Sequence, residues 1–222
     1  MPRTATRPKT GSAAGATKSL SDKRERTRKR ILDTAFELIG RENGLNVRIE
    51  EVCVASRISR GTFYNYFTSL EQLFEVLAVD LSHDFNIALL STLAEIESDA
   101  ERSNAAIQHY LKRARRDPAW GWTMVNLSAA GTIFGAESYE ACYVTIDRGI
   151  AAGEFDVPNA SFGRDLMVGA VLAAMTTTLR HGSAPSLPRL VARHVLRALG
   201  VPDARAKELS ERPLPEIVIP KK

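Results

Sequence analysis

Residues 49–73 read IEEVCVASRISRGTFYNYFTSLEQL, and their spacing divides into two short amphipathic pieces around a tight break. Ile49, Val52 and Cys53 recur at helical intervals, Arg57-Ile58-Ser59 interrupts, and Phe63, Tyr66 and Phe67 form a second apolar stripe. Ser59 suits the N-cap of the second piece, because its hydroxyl can accept a hydrogen bond from a backbone N–H that the first turn leaves unpaired. Opposite Phe63 and Phe67 lie Arg60, Gly61, Tyr64 and Asn65. That face is cationic, hydrogen-bonding and small at its leading end, as a helix presented to a DNA groove must be. The stretch reads as a helix-turn-helix, and the partner it implies is double-stranded DNA.

Working outward, residues 1–20 hold almost no large apolar side chain and are expected to be a disordered basic tail. A helical stripe then starts near Ser21 or Asp22 and runs through Ile31, Leu32, Ala35, Phe36, Leu38 and Ile39, with Gly40 and Gly44 at its end. After the paired helices, Ser69 caps a longer helix carrying Leu70, Leu73, Phe74, Leu77, Leu81 and Phe85 on one face. Val47 to Val52 is β-branched enough to suggest a strand, but no second alternating run exists to pair with it. Further helices are expected near 88–98, 102–116, 118–133, 136–152, 161–181 and 186–199, separated by Asp117-Pro118, Gly131 with Gly135, Gly153, Pro158, and Gly182 through Pro188. The expected fold is all-α: a basic tail (1–20), a three-helix DNA-binding domain (21–68), a larger helical bundle for ligand binding and dimerisation (69–201), and a C-terminal tail (202–222). Within that tail, Leu214 to Pro220 reads as a loose end or a small flap.

Charge agrees with this division. The net charge of the 222 residues is +4, but residues 1–30 carry ten Lys or Arg against Asp22 and Glu25. Residues 1–30 are thus at +8 and the remainder at −4, so a polyanion is expected at the first third only. The longest apolar run, Leu166 to Met175, is far short of the ~20 residues that span a bilayer, and no secretory signal is evident. A cytoplasmic protein with no membrane partner is expected. Cys53 and Cys142 read as buried, reduced thiols, and His83, His109, His181 and His194 show no metal-ligand spacing. With no phosphate loop and no nucleophile motif either, an enzyme, a metal and a cofactor are not expected.

The amphipathic first helix, IEEVCVASRISRGTFYNYF, and the capped helix opening SLEQL together resemble the DNA-binding domain of TetR-family transcription regulators. Ser59, Gly61, Thr62, Phe63, Tyr64 and Phe67 fall on the family's pattern, and the likeness covers residues 22–75. It implies phosphate contacts from Tyr64 and Thr62, close backbone approach at Gly61, and base reading by Arg60 and Asn65. Arg48, Ser59 and Tyr66 complete the expected DNA-binding set, with Tyr66 open between core edge and phosphate contact. Three positions depart from the pattern. Arg57 stands where the turn usually has Gly, so either the geometry differs or strain is tolerated. Arg48 replaces the usual Thr at the start of the second helix, where a cation opposes the helix dipole. Leu70 replaces a phosphate-binding Lys, a contact that Arg48 or the basic tail would supply instead.

The resemblance further implies a ligand cavity and a two-helix dimer interface in the larger domain. Candidate pocket residues are His109, Trp120, Trp122, Met124, Phe134, Tyr139, Tyr143 and Met167, with His109 open between solvent and pocket. Phe162 to Leu179 is apolar nearly all round and Leu187 to Leu199 carries a second stripe. From these come the candidate interface residues Leu172, Met175, Leu179, Val191, Val195 and Ala198. The expected function is a homodimeric, TetR-type repressor that a small-molecule effector releases from its operator. An activator or an effector-independent regulator would carry the same signature.

Overall fold

The computed structural model of the protein describes residues 13–130 and 135–217, and every regular element among them is helical. In chain order these are α1 (Ala13–Ile39), a short 3-10 turn (Gly44–Asn46), α2 (Ile49–Ser56), α3 (Arg60–Tyr64) and α4 (Leu70–Ala94). There follow α5 (Asp99–Arg116), α6 (Pro118–Ala129), α7 (Gly135–Ala151), α8 (Ala160–His181), α9 (Leu187–Ala198) and α10 (Asp203–Glu211).

Local chemistry places most of these boundaries. Ser59 Oγ accepts the Thr62 N–H at 3.0 Å and Ser69 Oγ the Gln72 N–H at 3.2 Å, each satisfying a donor the first turn cannot. Gln72 Oε1 in turn accepts the Thr68 N–H at 2.6 Å, which pins the entry to α4 from both sides. Ser98, Asp117 and Asn159 cap α5, α6 and α8 in the same manner, and Pro118 occupies the first turn of α6, where its missing N–H costs nothing.

Two apolar cores result. The head buries Ile31, Leu32, Ala35 and Ile39 of α1 against Val52, Cys53, Phe63, Phe67 and the first half of α4, through Leu73, Phe74 and Leu77. The bundle core takes the second half of α4 (Phe85, Leu89, Leu93) with α5 to α10. Helix α4 therefore serves both cores, and the helix expected separately at 88–98 is its continuation to Ala94. The strand-like Val47 to Val52 is the approach to α2 and its first turn, with the Arg48 N–H donating to Glu51 Oε2 at 2.8 Å. Glu50 and Glu51 in that first turn offset the unfavourable cation at Arg48.

Two expectations about the ends are corrected. Helix α1 begins at Ala13 rather than near Ser21: AAGATKSL has no apolar stripe, but its Ala and Lys have high helix propensity and extend an already nucleated helix. Residues 1–12 lie outside the described residues. Residues 203–211 are a helix, not a tail. Ala206 and Leu209 are fully buried, the Asn104 amide donates to the Leu209 carbonyl at 2.9 Å, and Gln108 donates to Ser210 O at 3.2 Å. A nine-residue helix with two buried apolar side chains leaves almost no periodic signal. None of the described helices is long and apolar enough to cross a membrane.

The α2–α3 turn answers the question posed by Arg57. Its φ of 53° and ψ of 50° are left-handed, as for the Gly usually found there. The Ile58 N–H reaches Cys53 O at 3.0 Å and the Arg57 N–H reaches Val54 O at 3.1 Å, a Schellman closure of α2. The turn geometry is retained and the strain tolerated. Left-handed backbone costs a non-glycine residue about 1–2 kcal/mol, partly balanced by the greater unfolded-state freedom of Gly. Arg57→Gly should therefore stabilise the protein by about 0.5–1 kcal/mol and raise Tm by roughly 1–4 °C in a thermal melt.

Candidate DNA-contacting face and effector cavity

Helix α3 buries Phe63 and Phe67 lies just beyond it, their rings 5.8 Å apart, so the opposite face is turned outward. Ser59, Arg60, Gly61, Tyr64 and Asn65 are exposed on it, with Thr62 and Tyr66 half-buried at its edge, and Arg48 is exposed at the N-terminus of α2. The Arg60 guanidinium is held 2.9 Å from Glu50 Oε1 across the turn and also bonds Tyr64, so two neighbours restrict where it points. The Ser59 hydroxyl is occupied by its cap and by Thr62 Oγ1 at 2.9 Å, which makes it an organiser of the face. Tyr66 lies beneath the Arg24 guanidinium, 5.8 Å from its ring centre. A groove between α1 and α3 is lined by Lys23, Arg24 and Arg30 on one side and Thr62, Asn65 and Tyr66 on the other. Cations thus flank the outward face without being consumed by it. Leu70, half-buried, packs against the head core.

Gly61 is informative because the fold does not need it. A Cβ there would meet only Ser59 Oγ, at 3.8 Å, and its φ is not positive. Gly40 is the reverse: a Cβ would fall 2.8 Å from Phe36 O and 2.9 Å from Ala119 O, so only Gly lets α1 end against α6.

In the bundle a cavity of about 380 Å³ lies between α4, α5, α7 and α8. Leu89, Leu93, Ile107, Met167, Val168 and Val171 give it apolar walls, and Ser103, Tyr110, Ser138 and Cys142 supply neutral polar atoms. Burial pushes the Cys142 thiol up to about 12, so it stays protonated. Of the pocket residues expected from sequence, Tyr139 and Met167 line this cavity. Tyr139 sits at the edge, its hydroxyl donating to Asp165 at 2.7 Å and its ring under the Arg164 guanidinium at 3.8 Å. The others do not line it. Trp120 and Met124 are bundle core, Trp122 is buried near Arg180, and Tyr143 packs half-buried beside Arg164. His109 is hydrogen-bonded to the Pro215 backbone, and burial pulls its pKa down to about 4. Phe134 lies outside the described residues. Unforeseen were Ser103 and Tyr110, one face of α5 seven residues apart. Two polar side chains on a buried helical face are the signal that would have found them.

The cavity and the head meet through α6. Tyr110 stacks on Trp120, centroids 6.1 Å apart and planes 27° from parallel, with Phe85 edge-on to both. Two turns further along α6, the Asn126 amide donates to Ile39 O at 2.7 Å, the last carbonyl of α1, and to Arg41 O at 2.8 Å just beyond it. Leu127, beside it, is buried in the head core. Arg180 of α8 adds a contact to Glu42 at 2.7 Å.

Residues 31–77 match the family model described as bacterial regulatory proteins, tetR family. Residues 98–212, more than half of the chain, match the tetracyclin repressor-like C-terminal domain. The chain belongs to the TetR family. Among solved structures, RolR in complex with resorcinol is 30% identical, with 89% of this chain and 100% of RolR covered and a TM-score of 0.71. RolR without ligand is 28% identical, covering 86% and 100% of the two chains, with a TM-score of 0.68. FadR from Bacillus subtilis in complex with stearoyl-CoA is 17% identical over 77% of this chain and 96% of its own, with a TM-score of 0.58, a likeness of fold alone. No protein of curated function matches the chain by sequence.

For a TetR-family chain the outward faces of α8 and α9 matter next. Met175 is fully buried and Val195 nearly so within their own bundle, while the Leu179 methyls pack toward Gly121 of α6. Met175 and Leu179 thus lie on the inner side of α8, which is apolar on two sides, whereas Val195 of α9 also borders the outer groove. Leu172 and Val191 are half-buried and Ala198 is exposed. What faces outward is Phe162 at 50% and Leu190 at 49% exposure, with Leu166, Ala170, Leu187, Val191 and Ala198 along a shallow groove. The Asn126 bridge can be tested directly. Asn126→Leu keeps the volume but takes the amide donor from the buried Ile39 carbonyl and one of two donors from Arg41 O, and urea unfolding should show a loss of about 1–3 kcal/mol.

Proposed function

We propose that the chain is a homodimeric, sequence-specific DNA-binding repressor, released from its operator when a small-molecule effector fills the bundle cavity. The observation that carries this reading is the outward face of α3, where Gly61 is left open by the fold's own packing and the groove beside the helix carries Lys23, Arg24 and Arg30 of α1. A glycine that nothing inside the protein requires is explained by something outside coming close, and a phosphate backbone suits the charge around it. On this reading Tyr64, Thr62 and Arg48 contact phosphates, and Arg60 and Asn65 read base edges. Glu50 gives up Arg60 when a guanine offers its bidentate acceptors.

Dimerisation through the apolar outer faces of α8 and α9 buries Phe162 and Leu190 and sets two heads ~34 Å apart, one turn of B-DNA. That the similar RolR forms a complex with resorcinol supports a small-molecule effector for this chain. Release then needs the effector to prefer one arrangement of the heads. Moving a population from 1:99 to 99:1 takes roughly 5.5 kcal/mol of differential affinity. The α6 bridge from Tyr110 to Asn126 supplies the connection along which that preference is felt.

Selection of duplexes from a randomised pool by the full-length protein should enrich a quasi-palindrome bound ~10³-fold or more above random DNA. Arg60→Ala should then cost about 1–3 kcal/mol at one base position per half-site, whereas Tyr64→Phe weakens all duplexes alike. Gly61→Ala should leave the fold as stable or up to ~1 kcal/mol more stable while lowering DNA affinity. A pool bound without enrichment contradicts the reading.

A further inference from the structure

The chemistry of the bundle cavity narrows what can fill it, given the proposed reading that it is the effector site. Its ~380 Å³ exceeds twice the ~150 Å³ that accepts one benzene, and lies near the lower end of the ~300–1,000 Å³ range of ligand pockets. A compact ring system fits that space better than a long chain. Charges at its border are already committed. Arg102 donates to the Asp99 carboxylate and to the Leu93 and Ile96 carbonyls, and Arg148 stands 3.7 Å from the same carboxylate. Glu140 is exposed. An anion or cation entering the cavity would have to break these arrangements to find a counter-charge.

The remaining polar atoms are neutral. Tyr110 donates to Asn86 Oδ1 at 2.8 Å and lies 3.0 Å from Ser138 Oγ. Ser103 is different. A helical Ser or Thr commonly returns its proton to the carbonyl four residues back, as Thr145 does to Ala141 at 2.9 Å and Thr92 to Ala88 at 2.8 Å. Ser103 is 1% exposed and lines the cavity, yet its hydroxyl has no partner among the described residues. Such a group lowers stability until something completes its hydrogen bond.

We propose that the cavity takes a neutral aromatic ring bearing at least one hydroxyl, with Ser103 Oγ as that hydroxyl's hydrogen-bond partner and Tyr110 packed against the ring. The ring replaces apolar contacts that the cavity walls lack, and the hydroxyl completes Ser103 without importing charge.

Isothermal titration of the full-length protein with phenol, resorcinol, toluene and benzoate tests this. Phenol and resorcinol should bind at least about tenfold more tightly than toluene or benzoate. Ser103→Ala should weaken phenol by about 3- to 10-fold and leave toluene unchanged, the range one hydrogen bond supplies. The same variant should raise the Tm of the ligand-free protein, because an unpartnered buried hydroxyl is removed. Benzoate as the tightest ligand, with its affinity lost in Arg148→Gln, overturns the proposal in favour of an anion. Equal affinity for phenol and toluene, or phenol binding indifferent to Ser103→Ala, overturns it as well. If none of the four binds while sequence-selective DNA binding is intact, the ligand class falls and the regulator reading stands. Absence of sequence-selective DNA binding in the same preparation overturns the regulator reading itself.

Discussion

The amide of Asn126 makes the connection on which the rest of the structure depends. Its two hydrogen bonds, to Ile39 O and Arg41 O, tie the end of α1 to the end of α6, and neighbouring Leu127 is packed into the core of the head. Gly40 makes this approach possible, since any Cβ would collide with Ala119 O. One helix thus has its first turns in the bundle, at Trp120, and its last turns in the head. A displacement of α6 cannot be absorbed by a loose linker, because the buried Ile39 carbonyl on the head side would lose its amide donor.

Much of the molecule is arranged at some cost to its own stability. Arg57 holds a left-handed backbone, Arg48 stands at the wrong end of a helix dipole, and Ser103 buries an unpartnered hydroxyl. Each lies beside the outward face of the head or beside the cavity. The supporting residues are conventional: six helix N-termini closed by Ser, Asp, Asn or backbone-accepting Glu, and two apolar cores. Local departures from good folding chemistry at places suited to contact with a partner are what a binding protein is expected to show.

The head was legible because its signals are local. Ser59 and Ser69 sit next to the helices they cap, and Phe63 and Phe67 declare a buried face within one turn. The cavity was not legible, since it is lined by four helices separated by up to about eighty residues, and single aromatic side chains do not announce which way they point. Trp120 and Trp122, both expected at the pocket, are buried and neither lines the cavity. Met175 and Leu179 could not be told from Phe162 and Leu190 by pattern, because α8 is apolar toward its own bundle and toward the outside. Helix α10 escaped notice because long-range bonds from Asn104 and Gln108, not its own pattern, hold it in place.

Through α6 the head and the bundle form one cooperative unit. Native-state hydrogen exchange of the wild type and of Asn126→Ala, followed at the amides of 31–77 and of α6, tests it most directly. The account predicts that in the wild type the two sets share one opening free energy, and that in the variant the head opens separately and more readily. Independent opening of head and α6 in the wild type, or an exchange pattern unchanged by the substitution, would contradict it.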